Sequence, residues 1–211
     1  MAPQTEEEQI ALLKNWWKEN GMPIVTGAVL ALAGVFGWQA WQEHQQVSNQ
    51  QGSIAFEQLM QAMLASGEAV DADKVLKLAD TLKTEHANSA YAAFASLFVA
   101  KLAVEQNKLD DAAAELKNLL DGQATAEVKE IARQRLARVL AAQDKADDGL
   151  ALLTGEASAA YIAARAEIRG DLLKQLGRFD EARAAYQQAL DAGSDGASVQ
   201  LKLDDLAKEE V

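Results

Sequence analysis

The longest apolar stretch of the chain lies near its N-terminus. Between Glu19 and Glu43 the sequence runs for 23 residues without a charge, and residues 22–38 are mostly Ile, Val, Leu, Ala, Gly, Phe and Trp. A helix of about 20 apolar residues spans the roughly 30 Å hydrocarbon core of a bilayer, whereas a buried helix of a soluble protein normally keeps a polar face. The pattern therefore predicts one transmembrane helix over residues 22–42.

A cleaved signal peptide is the alternative interpretation of this stretch. Residues 31–33 (Ala-Leu-Ala) have the small-x-small form that signal peptidases accept. The segment before the stretch is longer than a basic leader and carries four Glu beside Lys14 and Lys18, and the apolar residues continue past the candidate site to Trp38. Paired tryptophans on both sides of the stretch resemble the aromatic belts of a membrane span. These features favour an uncleaved anchor.

The segments on either side of the span differ in positive charge. Lys14 and Lys18 precede it, and no further Lys or Arg occurs before Lys74. By the positive-inside rule, residues 1–21 are predicted to form a cytoplasmic tail and the rest of the chain to be exported, into the periplasm in a bacterium. Within the tail, the capping box at residues 5–8 predicts a short amphipathic helix that stops near Gly21, and a new helix begins with Pro23 in its first turn. Residues 43–52 are predicted to be a juxtamembrane linker.

The remaining residues, 53–211, show helical periodicity and an internal repeat. The order of small, large and turn residues in the last copy is that of a tetratricopeptide helix hairpin, and two weaker copies precede it by 33 and a further 37 residues. Residues 53–85 are predicted to form a degenerate first hairpin, and residues 197–208 a C-terminal capping helix. The chain is therefore predicted to be all-α, with a transmembrane helix followed by a tetratricopeptide-like α-solenoid. The last copy is defined by Gly170, Leu173, Gly177, Phe179, Ala182, Tyr186 and Ala189.

Small residues at equivalent places of each hairpin have a mechanical reason. Ala or Gly on both helices lets the two backbones approach closely, and larger side chains then fill the space between hairpins. In such a stack the first helices line a groove suited to an extended or helical peptide, although the same positions would also simply solvate a spacer domain. The positions expected to face the groove are Phe94, Leu97, Lys101, Gln134, Arg138, Glu167, Asp171 and Lys174.

The transmembrane stretch itself contains two small-xxx-small spacings. They are formed by Gly27 with Ala31 and by Ala33 with Gly37. Such spacings permit another transmembrane helix to approach closely, but Gly and Ala are also common in helices that only anchor a protein. Packing against a partner helix and plain anchoring both fit.

Composition narrows the function classes. From Glu43 onward there are 18 Lys and Arg against 28 Asp and Glu, a net charge of −10, which would repel phosphate backbones and makes nucleic acid an unexpected partner. The chain has no cysteine, so it forms neither disulfides nor thiolate metal sites. His44 and His86 are interpreted as solvated polar residues, and no nucleophile, phosphate-binding or zinc motif is present. No catalytic residue, metal site or cofactor is predicted, and an enzyme is disfavoured.

The pattern resembles the proteobacterial YfgM family along the whole chain. The resemblance is carried by residues 13–21 (Leu-Lys-Asn-Trp-Trp-Lys-Glu-Asn-Gly), by the Gly-rich span ending at residues 37–41 (Gly-Trp-Gln-Ala-Trp), and by the degenerate tetratricopeptide domain. It implies a single-pass inner-membrane protein that is an ancillary subunit of the SecYEG translocon. It also implies a periplasmic, membrane-anchored partner chaperone of the peptidyl-prolyl isomerase class, and contact of the cytoplasmic tail with a stress-response regulator.

The expected function is therefore that of a non-enzymatic, membrane-tethered interaction module. The resemblance implies that it helps to pass exported chains from the translocon to periplasmic chaperones through its tetratricopeptide groove. A bitopic scaffold or signalling tether for another envelope complex is the alternative.

Overall fold

The computed structural model describes residues 6–64, 71–87 and 89–209. Within these residues all regular secondary structure is helical, which confirms the predicted all-α fold. The chain divides into two units, Met1–Gln51 and Gly52–Val211. The helices are α1 (Glu6–Leu64), α2 (Ala72–Glu85), α3 (Ala90–Glu105), α4 (Leu109–Asp121), α5 (Ala126–Ala142), α6 (Ala146–Leu152), α7 (Ala159–Gln175), α8 (Phe179–Asp191) and α9 (Gly196–Glu209).

The described residues of the first unit all belong to α1, which is unbroken. The predicted stop near Gly21 and restart at Pro23 are wrong, because both residues lie inside α1. The Trp17 indole covers Gly21 closely enough that a Cβ there would lie 3.1 Å from Trp17 Cε2. Pro23 removes one backbone hydrogen bond, but the apolar residues that follow continue the helix. Thr5, which begins the predicted capping box, lies outside the described residues.

Most of the first unit is apolar and exposed. The segment Glu8–Glu43 is long and apolar enough to cross a membrane, and side chains such as Leu30 and Phe36 are exposed. Water would hydrate this apolar surface unfavourably, so a bilayer or another protein is needed to cover it. Residues 43–52, predicted as a linker, are also helical.

The second unit contains the predicted hairpins in the predicted order. The three recognised copies of the repeat correspond to α3 with α4, α5 with α6, and α7 with α8. The degenerate first hairpin is formed by the end of α1 and by α2, whose Leu59, Met63, Val75 and Leu82 share one buried cluster. The cap is α9, which buries Val199 and Leu206 against α7 and α8.

The three hairpin turns repeat one local conformation. Asn107, Asp144 and Gly177 all have positive φ, at 58°, 60° and 73°. Such angles strain most residues, but Gly tolerates them, and Asn and Asp do so better than the rest. In each turn the next residue donates its N–H to a carbonyl five residues back, as in the contact of 2.9 Å from Arg178 to Leu173. These turns occupy the sequence positions that the repeat predicted.

Two close approaches explain the small residues of the repeat. A Cβ on Gly149 would lie 2.8 Å from the carbonyl oxygen of Ala137, and a Cβ on Gly170 would overlap the ring of Tyr186. Ala137 and Tyr186 are almost fully buried. Each glycine thus lets the two helices of its hairpin approach more closely than any larger residue would permit.

Candidate partner-binding groove

The predicted groove residues divide into three groups according to their equivalent places in successive repeats. Leu97 and Gln134, which are 37 residues apart, are both buried. Lys101 and Arg138, one helical turn further on and also 37 apart, are both exposed. The third hairpin differs, because its equivalent residues, Glu167 and Asp171, are bound by the cap helix. The two remaining predicted residues, Phe94 and Lys174, are half-buried.

The burial of Leu97 and Gln134 corrects the prediction that they line an open groove. Leu97 is 6% exposed and belongs to the core cluster shared by α3, α4 and α5. Gln134 is 8% exposed, and its Nε2 donates to Glu130 Oε1 at 3.0 Å. Phe94 also packs inward, with its ring centroid 6.0 Å from that of Phe56. Leu97, Gln134 and Phe94 therefore pack into the domain instead of lining an open groove.

In the third hairpin, the cap helix occupies the predicted groove positions. Lys202 of α9 donates through Nζ to Glu167 Oε1 at 2.8 Å and to Asp171 Oδ1 at 2.6 Å. The Tyr186 hydroxyl also donates to Asp171 Oδ1, at 2.9 Å. Burial alone would lower the pKa of Lys202, but hydrogen bonds and charge from Asp171 and Glu167 outweigh burial and raise it. Both carboxylates thus already have a cation from their own chain.

A buried ionic cluster that the sequence analysis missed joins α5 to α7. Arg165 binds Glu130 with two parallel contacts, Nη2 to Oε2 at 2.5 Å and Nε to Oε1 at 3.0 Å, and both residues are 6% exposed. Arg133 Nη1 donates to Glu130 Oε2 at 2.6 Å. Arg165 Nη1 also donates to the carbonyls of Gly155 and Glu156 in the loop before α7. Arg165 therefore holds one helix and one loop in place at once.

The pKa of Glu130 follows from these contacts. Burial of the carboxyl group would raise the pKa, but hydrogen bonds from Arg165, Gln134 and Arg133 outweigh burial and lower it below the usual value. The group is therefore held as a carboxylate. Its bidentate geometry with Arg165 is the strong, charge-assisted form of this interaction.

Lys101 and Arg138, the two exposed cations among the predicted groove residues, border an apolar groove. We define the α3–α5 groove by its floor and its rim. The rim consists of Lys101 and Glu105 from α3 and of Arg135 and Arg138 from α5. Its floor is formed by Ala100, Val104, Leu109, Leu116, Val139 and Ala142.

The rim of the α3–α5 groove carries excess positive charge. Lys101 Nζ lies 3.5 Å from Glu105 Oε1, so this pair is neutral. Arg135 Nη1 donates to the carbonyl of Leu97 at 3.2 Å, and neither Arg135 nor Arg138 makes an ion pair with any carboxylate that the structure describes. Partial desolvation of Arg135, together with the nearby charge of Arg138, lowers the pKa of Arg135. Arg135 and Arg138 thus lie beside the apolar floor without a paired carboxylate among the described residues.

The residues predicted for transmembrane packing lie on the exposed surface of α1. Gly27, Ala31, Ala33 and Gly37 are all exposed, and a Cβ added to either glycine would meet no atom within 4 Å. The helix therefore has room for another helix along this surface. Packing against a transmembrane partner stays a prediction.

The histidines differ from the sequence interpretation in one respect. His86, interpreted as solvated, is buried at the end of α2, and a Cβ on Gly52 would lie 3.4 Å from its Cγ. The side chain of His44 lies outside the described residues. Within the described part of the chain, no group of three or more His, Cys, Asp or Glu residues is placed to hold a metal ion.

Comparison with known proteins finds a matching family model and several similar proteins. A family model described as a tetratricopeptide repeat-like domain matches residues 14–208. An ancillary SecYEG translocon subunit of Haemophilus influenzae is 32% identical over 191 residues, covering 90% of each chain.

Two further relatives carry the same name. The ancillary SecYEG translocon subunit of Escherichia coli is 29% identical over 87% of this chain and 86% of its own. That of Neisseria gonorrhoeae is 29% identical over 98% of this chain and 100% of its own. The similarity thus includes both the apolar N-terminal helix and the helical hairpins. The chain belongs to the family of ancillary SecYEG translocon subunits, which carry a tetratricopeptide repeat-like domain.

Proposed function

We propose that this protein is a non-enzymatic, membrane-tethered interaction module at the SecYEG translocon, and that its hairpin domain helps to pass exported chains to periplasmic chaperones. The observation that carries the proposal is the pairing of an exposed apolar helix with a tetratricopeptide domain in one chain. The names of the relatives, translocon subunits of similar length, support the translocon as the place of action.

The proposed topology places the N-terminus in the cytoplasm and the hairpins in the periplasm. It is supported by Lys14 and Lys18 before the span and by the absence of Lys and Arg from there to Lys74. A periplasmic hairpin domain could meet exported chains as they leave the translocon. The proposal includes a membrane-anchored chaperone of the peptidyl-prolyl isomerase class as partner, and contact of the cytoplasmic tail with a stress-response regulator.

Co-purification tests the association with the translocon. We expect SecYEG to be recovered with the tagged full-length protein after mild detergent extraction, and to be lost when residues 22–42 are replaced by an unrelated transmembrane helix. Gly27→Leu with Gly37→Leu should weaken recovery because the larger side chains prevent close helix approach. Val29→Leu with Val35→Leu is the matched control and should have little effect, since both positions already carry branched apolar side chains.

The outcomes separate the alternatives. Full recovery of SecYEG with the foreign span would move the contact to the hairpin domain. Failure of the wild-type protein to recover SecYEG, with a different envelope complex as the dominant crosslinked neighbour, would contradict the proposal and favour the scaffold alternative.

A further inference from the structure

The α3–α5 groove has a charge that is unusual for this molecule. The whole chain has a net charge of −12, yet the rim presents Arg135 and Arg138 without a carboxylate partner among the described residues. Of the five other arginines of the hairpin domain, those at 133, 165, 178 and 183 each pair with a carboxylate within 4.0 Å, and Arg169 pairs with none that the structure describes. Arg135 and Arg138 thus place two arginines without a paired carboxylate side by side at one groove.

The repeat frame shows why the groove is open at this place. Lys101, Arg138 and Asp171 are equivalent residues of three successive hairpins. Asp171 is already bound by Lys202 of the cap helix. None of the described helices covers Lys101 and Arg138 in this way, and the floor between them includes Val104, which is 42% exposed. At the third hairpin the equivalent position is therefore occupied by the chain's own cap helix, whereas the α3–α5 groove is open to a segment of another molecule.

The chemistry of the groove defines what fits it. The floor favours an apolar side chain because burial removes both apolar surfaces from water. A carboxylate close to that side chain would lie between Arg135 and Arg138 and relieve their mutual repulsion, and arginine can bind a carboxylate through two parallel hydrogen bonds. We propose that the α3–α5 groove docks a short segment of a resident partner protein that presents an apolar side chain beside a carboxylate. This inference rests on the proposed function, because it assigns a surface and a partner chemistry to the interaction module.

A resident partner fits better than an unfolded exported chain. Fixed cations at one place on an otherwise acidic molecule discriminate between sequences, since a basic segment is repelled there. A surface that served all exported chains would gain nothing from this discrimination. A second copy of this chain is the remaining occupant, and the test below distinguishes it.

Peptide binding to the full-length protein in detergent micelles tests the chemistry. The probe is a short fluorescein-labelled peptide of leucines interspersed with glutamates, and its counterpart carries lysines in place of the glutamates. We expect the acidic peptide to bind the wild type and the basic one not to bind. Arg138→Glu should lower the affinity for the acidic peptide by about tenfold and allow the basic peptide to bind. The matched control is Lys117→Glu, an exposed charge reversal on α4 outside the groove, which should change affinity by less than about twofold.

Equal binding of both peptides, or an acidic-peptide affinity that Arg138→Glu leaves unchanged, would overturn the inference. Photocrosslinking in cells from position 104 tests the source of the segment. Crosslinks to one resident envelope protein that Arg138→Glu abolishes would support the inference, whereas crosslinks to many exported chains or to a second copy would overturn it. The SecYEG co-purification described above should persist in Arg138→Glu. The proposal for the groove and the proposal of translocon association can therefore be contradicted independently of each other.

Discussion

Replacing Arg165 by methionine is expected to lower the free energy of unfolding of the hairpin domain by about 3 kcal/mol or more. The substitution leaves the Glu130 carboxylate 6% exposed without its bidentate partner. Arg133 and Gln134 remain bound to Glu130, so the loss should lie near the lower end of the range for a broken buried ion pair. Urea unfolding of the full-length protein in micelles, followed by far-ultraviolet circular dichroism, measures the effect.

A matched control and a double variant separate this ion pair from general damage. Arg133→Met removes a more exposed partner of the same carboxylate and should cost only about 1 kcal/mol or less. Combining Arg165→Met with Glu130→Met removes both charges, so the double variant should be more stable than the sum of the single effects predicts, by about 1 to 3 kcal/mol. Strict additivity of the two substitutions would contradict the role assigned to the pair.

The same cluster gives the domain an acid-sensitive component of stability. Glu130 has a lowered pKa in the folded protein, so the folded state binds its proton less readily than the unfolded state does. Its contribution is therefore fully present above the ordinary Glu pKa of 4.5 and is lost as the pH falls through the folded value. The stability difference between the wild type and the double variant should change in this acidic window and stay constant near neutral pH.

Leu97→Ala is expected to destabilise the domain by about 2 to 4 kcal/mol, because it removes a buried side chain and leaves a cavity among α3, α4 and α5. Leu97 is 6% exposed, whereas Val104 on the same helix is 42% exposed and lies on the floor of the α3–α5 groove. Val104→Ala is the matched control and should cost about 0.5 kcal/mol or less. The same urea measurement applies. A small effect of Leu97→Ala, equal to that of Val104→Ala, would show that Leu97 is accessible after all.

Features that depend on local conformation could be predicted from the sequence. Hairpin order follows from periodicity, and the turns at Asn107, Asp144 and Gly177 could be predicted because few residue types adopt positive φ. Gly149 and Gly170 could be identified as contact points because a repeat demands small residues there. Each of these features is recorded in a few neighbouring residues.

Contacts between hairpins were much harder to predict. Leu97 and Lys101 are one helical turn apart and were both assigned to the groove, but the neighbouring helices cover only the first. The Glu130–Arg165 pair was missed because single charged residues are normally assigned to the surface. One signal was available: Arg165 shares a helix face with the buried Ile168 and Leu172, at i, i+3 and i+7. A charge within such an apolar stripe indicates a buried partner.

The break predicted inside α1, at Gly21 and Pro23, was wrong for a related reason. Gly21 and Pro23 are strong signals for the end of a helix in water. In α1 the Trp17 ring packs over Gly21, and the apolar residues after Pro23 continue the helix. Local turn signals are therefore weaker evidence within a long apolar segment than in a soluble domain.

Protease accessibility in spheroplasts tests most directly the central claim that an uncleaved apolar helix holds the hairpin domain on the exported face of a membrane. The protein carries one tag at each end, and protease is added outside. We expect the C-terminal tag to be digested in intact spheroplasts while the N-terminal tag stays membrane-bound and protected until lysis. A C-terminal tag that is protected until lysis, or a mature protein that begins near Gly34, would contradict the account.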